Sequence, residues 1–376
     1  MALVKRVTVD LSAVPANLTG VGRYATEMLA AMAPAASEAG IEIVAVTRKG
    51  DGARFQRRIP DLRVAQRVPL SRPARLAFEQ VGMRGVLNEV SSDLHHGIHY
   101  TLPARLSQKS VVTIHDATLL EHPEWHERSK VYFFRQMIRH AAKVADGLIF
   151  PSNAALEGFR RHFESAAETK VIPHGVSAER FAAPDGVADS ELLEGVGVSG
   201  RYFIFCGTLE PRKNLARLLN AFETLGDAQV QLILAGMTGW GNGPIAAQLA
   251  RMIADKRAKV LGYVSDVELG ALYRNACAAL YPSLEEGFGL PGLEAMSQRC
   301  LLITSQHSAM AEYAGGSALL IDPLDDHSIA AAMRTALNPG AETMALADSG
   351  SKVAANMTWR NSANGHLDFY RSILGV

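Results

Sequence analysis

RYFIFCGTLEPRKNLARLLNAFETLGDAQVQLILAG, residues 201–236, is the stretch from which the fold of the 376-residue chain is read. An apolar run of strand length opens it, a loop of glycine, proline and charged residues follows, a helical pattern spans 215–225, and VQLILAG closes it as a second strand. Strands joined through a helix lie parallel in one sheet, because the crossover returns the chain to the edge where it started. The alternation continues outward with a helical pattern at 244–256, KVLGYV (259–264), a helix at 266–275, AALYPS (278–283), a helix at 290–298 and LLITS (301–305). Toward the N-terminus the same rhythm runs through VKRVTVDL (4–11), a helix at 24–32, IEIVAVT (41–47), SVVTIHD (110–116), a helix at 132–144, GLIFPS (147–152) and a helix at 154–162. Both halves are therefore expected to be α/β, each a mostly parallel sheet covered by helices.

The boundary belongs near VIPHGVSAERF (171–181), where strand-like residues give way to turn residues and then to weak patterning over 177–200. This predicts an N-terminal domain over 1–180, rejoined by a final helix at about 358–376, and a C-terminal domain over 181–357. Open α/β sheets bind ligands beyond the carboxyl ends of their strands, so chemistry is expected on those loops and in a cleft between the domains. No repeat of 20–50 residues and no low-complexity tract is present, which removes solenoids and propellers.

Composition narrows the class. With 48% hydrophobic and 20% charged residues the chain is not of the disordered type. No run reaches the ~18 apolar residues of a membrane span, and the start lacks the apolar core and cleavage site of a signal peptide, so a cytoplasmic protein is expected. Cys206, Cys277 and Cys300 form no C-x-x-C pair, which suits reduced, buried thiols better than disulfides or zinc. Residues 1–180 hold 24 Lys and Arg against 18 Asp and Glu, and the remainder 14 against 20, so the halves carry +6 and −6 and are expected to meet different partners. Arg57, Arg58, Arg63, Arg67, Arg72 and Arg75 supply much of the excess, either as a solvated surface or as a surface for an anionic membrane or acceptor. Nothing in the pattern points to nucleic acid.

The segment YPSLEEGFGLPGLEAM (281–296) holds the densest chemistry. A strand ends near Tyr281, a glycine-rich turn follows, and Pro291 stands where a helix begins. The helix start is an anion site in waiting, with the N–H groups of Gly289 and Leu290 exposed and Gly287 and Gly289 permitting close approach. Glu286 before the turn and Glu294 in the helix's first turn flank it. Carboxylates repel phosphate but accept paired sugar hydroxyls well, so the pair reads as hydroxyl recognition beside a phosphate; the plainer alternative is a dipole-complementing Glu294 and a surface Glu286.

Glu286 and Glu294, with Gly287, Phe288, Gly289 and Leu290 between, resemble the E-x7-E motif of family-4 retaining glycosyltransferases. That resemblance implies a GT-B fold, two facing Rossmann-like domains with a donor cleft between them. It also implies that Glu286 meets the donor sugar's hydroxyls, Glu294 the ribose, and the intervening backbone the sugar and phosphates. CGTLEPRKNL (206–215) is similar to the family's pyrophosphate loop, which makes Gly207, Thr208, Arg212 and Lys213 donor-binding residues. Many members carry arginine where Thr208 stands; the G-T-x-E-P-R-K-N form is familiar among mannosyl- and rhamnosyltransferases and shifts charge onto Arg212 and Lys213. NLTGVGRY (17–24) resembles the family's N-terminal glycine loop, with Gly20 and Gly22 toward the donor and Arg23 and Tyr24 toward the acceptor. His115 stands where members place a histidine near the reacting carbon and is expected to orient and polarise, and Asp116 after it falls, like Arg23 and Tyr24, toward the acceptor. Tyr263 and Val264 sit where the nucleobase is seated.

The resemblance runs nearly end to end and implies a metal-independent hexosyltransferase with no cofactor, using a nucleoside-diphosphate sugar as substrate and the donor's own phosphate as proton acceptor. The catalytic set is then His115, Glu286, Arg212 and Lys213. GDP-mannose is the favoured donor, with UDP- and dTDP-sugars as alternatives. The acceptor is a saccharide or lipid-linked intermediate of polysaccharide, lipopolysaccharide or glycolipid synthesis, met in the cytoplasm or peripherally on the inner membrane face through the basic N-terminal segment. A sugar-nucleotide epimerase would show more cleft acids and histidines, and a silent nucleotide-binding scaffold would lack one of the paired elements.

Overall fold

The computed structural model describes residues 4–15, 20–237, 239 and 243–376, the side chain of Pro244 excepted; the start of the chain and Asn17, Leu18 and Thr19 ahead of the first glycine loop lie outside the described residues. It contains two compact units, Met1–Gly175 with Trp359–Val376, and Val176–Thr358.

Among the described residues the first unit holds a seven-stranded sheet of β1 (Lys5–Asp10), β2 (Ile41–Arg48), β3 (Arg63–Val68), β4 (Leu94–Gly97), β5 (Lys109–Thr113), β6 (Gly147–Phe150) and β7 (Glu168–Val171). The order is β3-β2-β1-β4-β5-β6-β7 and every pairing is parallel. Central strands of such a sheet are covered on both faces, which is why Val7, Val9, Val111, Val112, Leu148 and Phe150 are all buried. The helix Val21–Ala36 packs against the last helix, Trp359–Leu374, and Trp359 is buried beside Tyr24 and His174.

The second unit holds, among its described residues, a six-stranded parallel sheet of β8 (Arg201–Cys206), β9 (Val230–Ala235), β10 (Ala258–Gly262), β11 (Ala278–Tyr281), β12 (Leu302–Ser305) and β13 (Leu319–Ile321). Its order is β10-β9-β8-β11-β12-β13. The helices Leu215–Glu223, Asp266–Asn275 and Leu290–Ser297 make the crossovers around its centre.

Several elements differ from the sequence expectation. The weakly patterned stretch 177–200 is built structure: a 3-10 turn at Ala178–Phe181 buries Phe181, and the helix Asp189–Gly195 is fastened by Asp189, which accepts from Arg274 at 2.9 and 2.6 Å. Seven residues are too few for a helical period to show. β4, whose sequence is LHHG, lies fully buried between β1 and β5 although half of it is histidine. Its Gly97 is obligatory, because a Cβ there would stand 2.0 Å from the Thr101 carbonyl oxygen.

Candidate functional site

The second sheet reverses direction at its centre. From β8 the chain steps outward through β9 to β10, then returns to place β11 on the opposite flank of β8. Loops leaving β8 and β11 therefore diverge, and beyond their carboxyl ends lies the crevice where open α/β sheets take ligands. Backbone and amide bonds join these loops: the Leu284 N–H donates to the Arg212 carbonyl at 2.8 Å, and Asn214 Nδ2 donates to the carbonyls of Pro282 at 3.0 Å and Pro323 at 2.7 Å. Asn214 adopts φ 60°, a left-handed conformation that asparagine tolerates, and this turns the chain from the 3-10 segment Pro211–Lys213 into its helix.

The result is a compact group of ions. Arg212 donates through Nη1 to Glu286 Oε2 at 2.5 Å and bonds through Nη2 to Glu210 Oε1 at 2.7 Å. Lys213 Nζ donates to Glu286 Oε1, which also receives the Ser283 hydroxyl at 2.9 Å. Glu286, Lys213 and Glu210 are only 6%, 5% and 7% exposed. Burial by itself pushes the Glu286 carboxyl up, but Arg212 and Lys213 outweigh it and bring the group down to about 2. Burial, and then Arg212 alongside, hold the Lys213 ammonium below its usual range against the pull of Glu286. Two acids and two bases thus form a formally neutral cluster of charge-assisted bonds.

Next to it, Gly289 caps the helix Leu290–Ser297 at φ 84° with no side-chain cap, and Pro291 falls in the first turn. A Cβ at Gly289 would be strained in φ and would meet Met310 Cε at 2.4 Å, so glycine is the residue that lets the turn close. The Tyr313 hydroxyl donates to the Gly289 carbonyl at 2.9 Å, and its ring packs 5.1 Å from that of Phe288. Burial first, then Glu286 and Glu294, raise the Tyr313 phenol well above its usual range. Glu294 itself is buried in the second turn of the helix, since the first turn holds no acid. That corrects the expectation of a first-turn position and removes dipole complementation as its role.

Other expected donor residues follow β8 and β10. Gly207 leaves β8 with its N–H donating to Ala235 O at 2.9 Å, and Thr208 follows it half-buried. Tyr263 and Val264 follow β10, two strands from β8, with Tyr263 75% exposed.

In the first unit the sheet reverses between β1 and β4, and His115 follows β5 close by. His115 Nε2 lies 2.7 Å from the Ile98 carbonyl. A carbonyl only accepts, so Nε2 carries the proton; burial keeps the ring neutral despite Ile98 and Asp116, and Nδ1 is left as an acceptor. Asp116 is engaged locally, accepting from the Thr118 N–H at 3.1 Å and hydroxyl at 2.7 Å. Gly20 starts the helix Val21–Ala36 at φ 43°, Gly22 is buried within it and Arg23 is half-buried.

Tyr24, expected on the acceptor side, is instead a core residue. Its hydroxyl lies 2.8 Å from His366 Nε2 and 3.0 Å from Thr113 Oγ1. His366 Nδ1 donates to Ser362 O at 2.7 Å, so Nε2 must accept from Tyr24. The chain of bonds then runs on through Thr113 to His96 Nε2 at 2.8 Å and from His96 Nδ1 to the Tyr370 hydroxyl at 2.7 Å. The ring of Tyr24 meets His115 edge-on at 5.1 Å. This tyrosine and histidine network was missed in the sequence; the dense HHGIHY run (95–100) was its signal.

The basic stretch of the first unit is largely neutralised within the unit, with ion pairs Arg58–Glu27, Arg63–Glu42, Arg67–Glu89 and Arg75–Glu79. Among the described residues no helix is long and apolar enough to cross a membrane, and no group of three or more His, Cys, Asp or Glu is placed to hold a metal ion.

Two family models match the chain, Glycosyltransferase Family 4 over residues 18–180 and Glycosyl transferases group 1 over residues 195–353. A curated relative, O-antigen chain mannosyltransferase B of Escherichia coli, is 28% identical over 94% of this chain and 96% of its own. Among solved structures, sucrose-phosphate synthase from Thermosynechococcus elongatus superposes with a TM-score of 0.77 at 18% identity, covering 99% of both chains. Anabaena HepE in complex with UDP and glucose does so with a TM-score of 0.76 at 18% identity, over 98% of this chain and 100% of that one.

Proposed function

The chain is a glycosyltransferase of the GT-B fold, related to the family-4 enzymes, and from that premise we propose that it moves a hexose, with retention of configuration, from a nucleoside-diphosphate sugar to an acceptor hydroxyl. The observation that carries this reading is the meeting of Arg212, Lys213 and Glu286 beside the Gly289-capped helix start. Diphosphate needs cations and N–H donors, and a hexose needs a carboxylate; here they are neighbours.

As the bond from the anomeric carbon to the phosphate oxygen breaks, charge grows on the diphosphate, where Arg212, Lys213 and the helix start stabilise it. The acceptor oxygen bonds to the same face of the anomeric carbon, and its proton passes to the departing phosphate oxygen. In this reading His115 Nδ1 accepts a donor-sugar hydroxyl and orients the ring, Glu294 accepts the ribose hydroxyls, and no metal takes part.

Mannose from GDP-mannose is the preferred donor, supported by the G-T-x-E-P-R-K-N loop and by the mannosyltransferase name of the E. coli relative; a UDP- or dTDP-sugar is the second reading. Surface-polysaccharide or glycolipid intermediates are the acceptor class, reached from the cytoplasmic face of the membrane. Release of nucleoside diphosphate from GDP-mannose, UDP-glucose and dTDP-rhamnose, with and without saccharide or lipid-linked acceptors, tests it. Acceptor-dependent release from one donor, abolished in Lys213→Ala, is the expected result. Release that ignores every acceptor, or survives the substitution, sinks the proposal.

A further inference from the structure

The cations suited to a diphosphate are already engaged. Glu286 holds Arg212 and Lys213 at once, so an anion entering between the β8 and β11 loops must compete with a carboxylate of the protein itself. The two acids of the cluster are not equivalent. Glu210 precedes Arg212 by two residues on the same turn, so that pair travels as a unit. Glu286 comes from the loop after β11 and spans the crevice to reach its partners.

From this we infer that Glu286 is an internal stand-in for the donor's diphosphate: it yields Arg212 and Lys213 to the incoming phosphates and is itself taken up by hydroxyls of the sugar, so the site favours nucleotides that carry a sugar over the bare nucleoside diphosphate. The inference rests on the donor reading given under Proposed function. Bare diphosphate would separate Glu286 from both cations and leave the buried carboxylate only the Ser283 hydroxyl. An under-bonded buried carboxylate is costly, whereas a pair of sugar hydroxyls restores its bonds. Glu210 keeps Arg212 in place throughout. The same exchange favours product departure, because once the sugar has gone Glu286 competes for the cations again.

The test is calorimetric titration of the full chain with GDP, GDP-mannose, UDP and UDP-glucose. Wild type is expected to bind one nucleotide sugar about tenfold more tightly than its bare diphosphate. Glu286→Gln removes the competing charge and is expected to bind that diphosphate about tenfold more tightly than wild type does, lose the preference for the sugar form, and turn over poorly. Glu286→Asp retains the charge on a shorter arm that cannot span both cations, and is expected to fall between the two; it decides the matter if the glutamine variant does not fold. Weaker diphosphate binding in either variant, or an undiminished sugar preference, overturns the inference while leaving the donor reading intact. A wild type that binds none of the four, and neither dTDP nor dTDP-rhamnose, overturns the donor reading, and this inference with it.

Discussion

The two units share an architecture, yet the polar groups at the carboxyl edges of their sheets are of opposite kinds. At the first sheet, beside the acids Asp10 and Asp116, they are chiefly neutral rings and hydroxyls passing hydrogen bonds from Tyr370 through His96, Thr113 and Tyr24 to His366, with His115 packed on Tyr24. At the second they are ions, Glu210, Arg212, Lys213 and Glu286, each held by another's charge. A neutral network loses a modest net energy per bond, whereas an ion that loses its partner is stranded in low dielectric. The second unit should therefore be the more fragile to single substitutions and the first the more sensitive to acid.

The largest expected effect is in the second unit. Lys213→Ala leaves Glu286 with Arg212 and Ser283 only, and is expected to cost about 3 kcal/mol of stability and about 100-fold or more in turnover. His115→Ala in the first unit breaks no ion pair and is expected to cost less stability. Thermal melting and acceptor-dependent diphosphate release on both variants measure this. A Lys213 variant as stable and active as wild type would break the comparison.

Acid should act in the opposite order. Burial holds His95 at about 4, His99 at about 3 and His366 at about 4, with His96 and His174 also well below the ordinary 6.5. An unfolded chain binds protons at these sites from pH 6.5 downward while the fold resists, so stability is full above 6.5 and drains as pH falls toward 4 and 3. Glu286, at about 2 against an ordinary 4.5, gives the second unit stability that is complete above 4.5 and lost only toward 2. Hydrogen exchange at pH 7, 6 and 5 is expected to deprotect residues 94–100 and 359–374 before 201–213 and 278–294. The reverse order would refute it.

How much of this was legible depended on where the charges and apolar runs fell. RYFIFC, VQLILA and AALY announce central strands because both faces are buried and nothing polar is needed there. YPSLEEGFGLPGLEAM announces its turn and helix start because glycine and proline mark them, with the paired glutamates as the candidate recognition groups. β4 was hidden, since LHHG looks like a loop until Tyr370 and Thr113 satisfy His96. β3, the edge strand RVAQRV, is largely exposed and shows no buried run. The helix Arg72–Val81 inverted the usual pattern, because the residue it fully buries is Glu79. Tyr24 was misplaced for a related reason: its neighbouring glycines suggested a ligand loop, and its partners His366 and Thr113 are distant in sequence.

Glu79 sharpens the contrast, being with Asp10 and Glu27 one of the buried acids within the unit of neutral rings. Burial first, and then the neighbouring Asp10, push it up to about 7. Its folded value lies above the ordinary 4.5, so the fold is favoured in full below 4.5 and the benefit is lost as pH rises through 7. Glu79→Gln mimics the protonated form and is expected to raise stability by about 1 kcal/mol at pH 8 while changing little at pH 5. Melting curves at both pH values check this. Destabilisation at pH 8 would mean that the ion pair with Arg75 dominates and that the first unit also depends on charge.

The smallest effect concerns Tyr313, the neutral group that the ionic unit uses to hold its turn. Tyr313→Phe keeps the ring against Phe288 and removes the bond to the Gly289 carbonyl, which still receives the Gly292 N–H at 3.0 Å. One neutral hydrogen bond contributes about 1 kcal/mol, so diphosphate affinity is expected to fall by about threefold to fivefold. An unchanged affinity would mean that Gly289 and the underlying Met310 fix the turn without help. A loss beyond about 30-fold would exceed what one neutral bond supplies and place the hydroxyl in contact with the donor, making Tyr313 a binding residue in its own right.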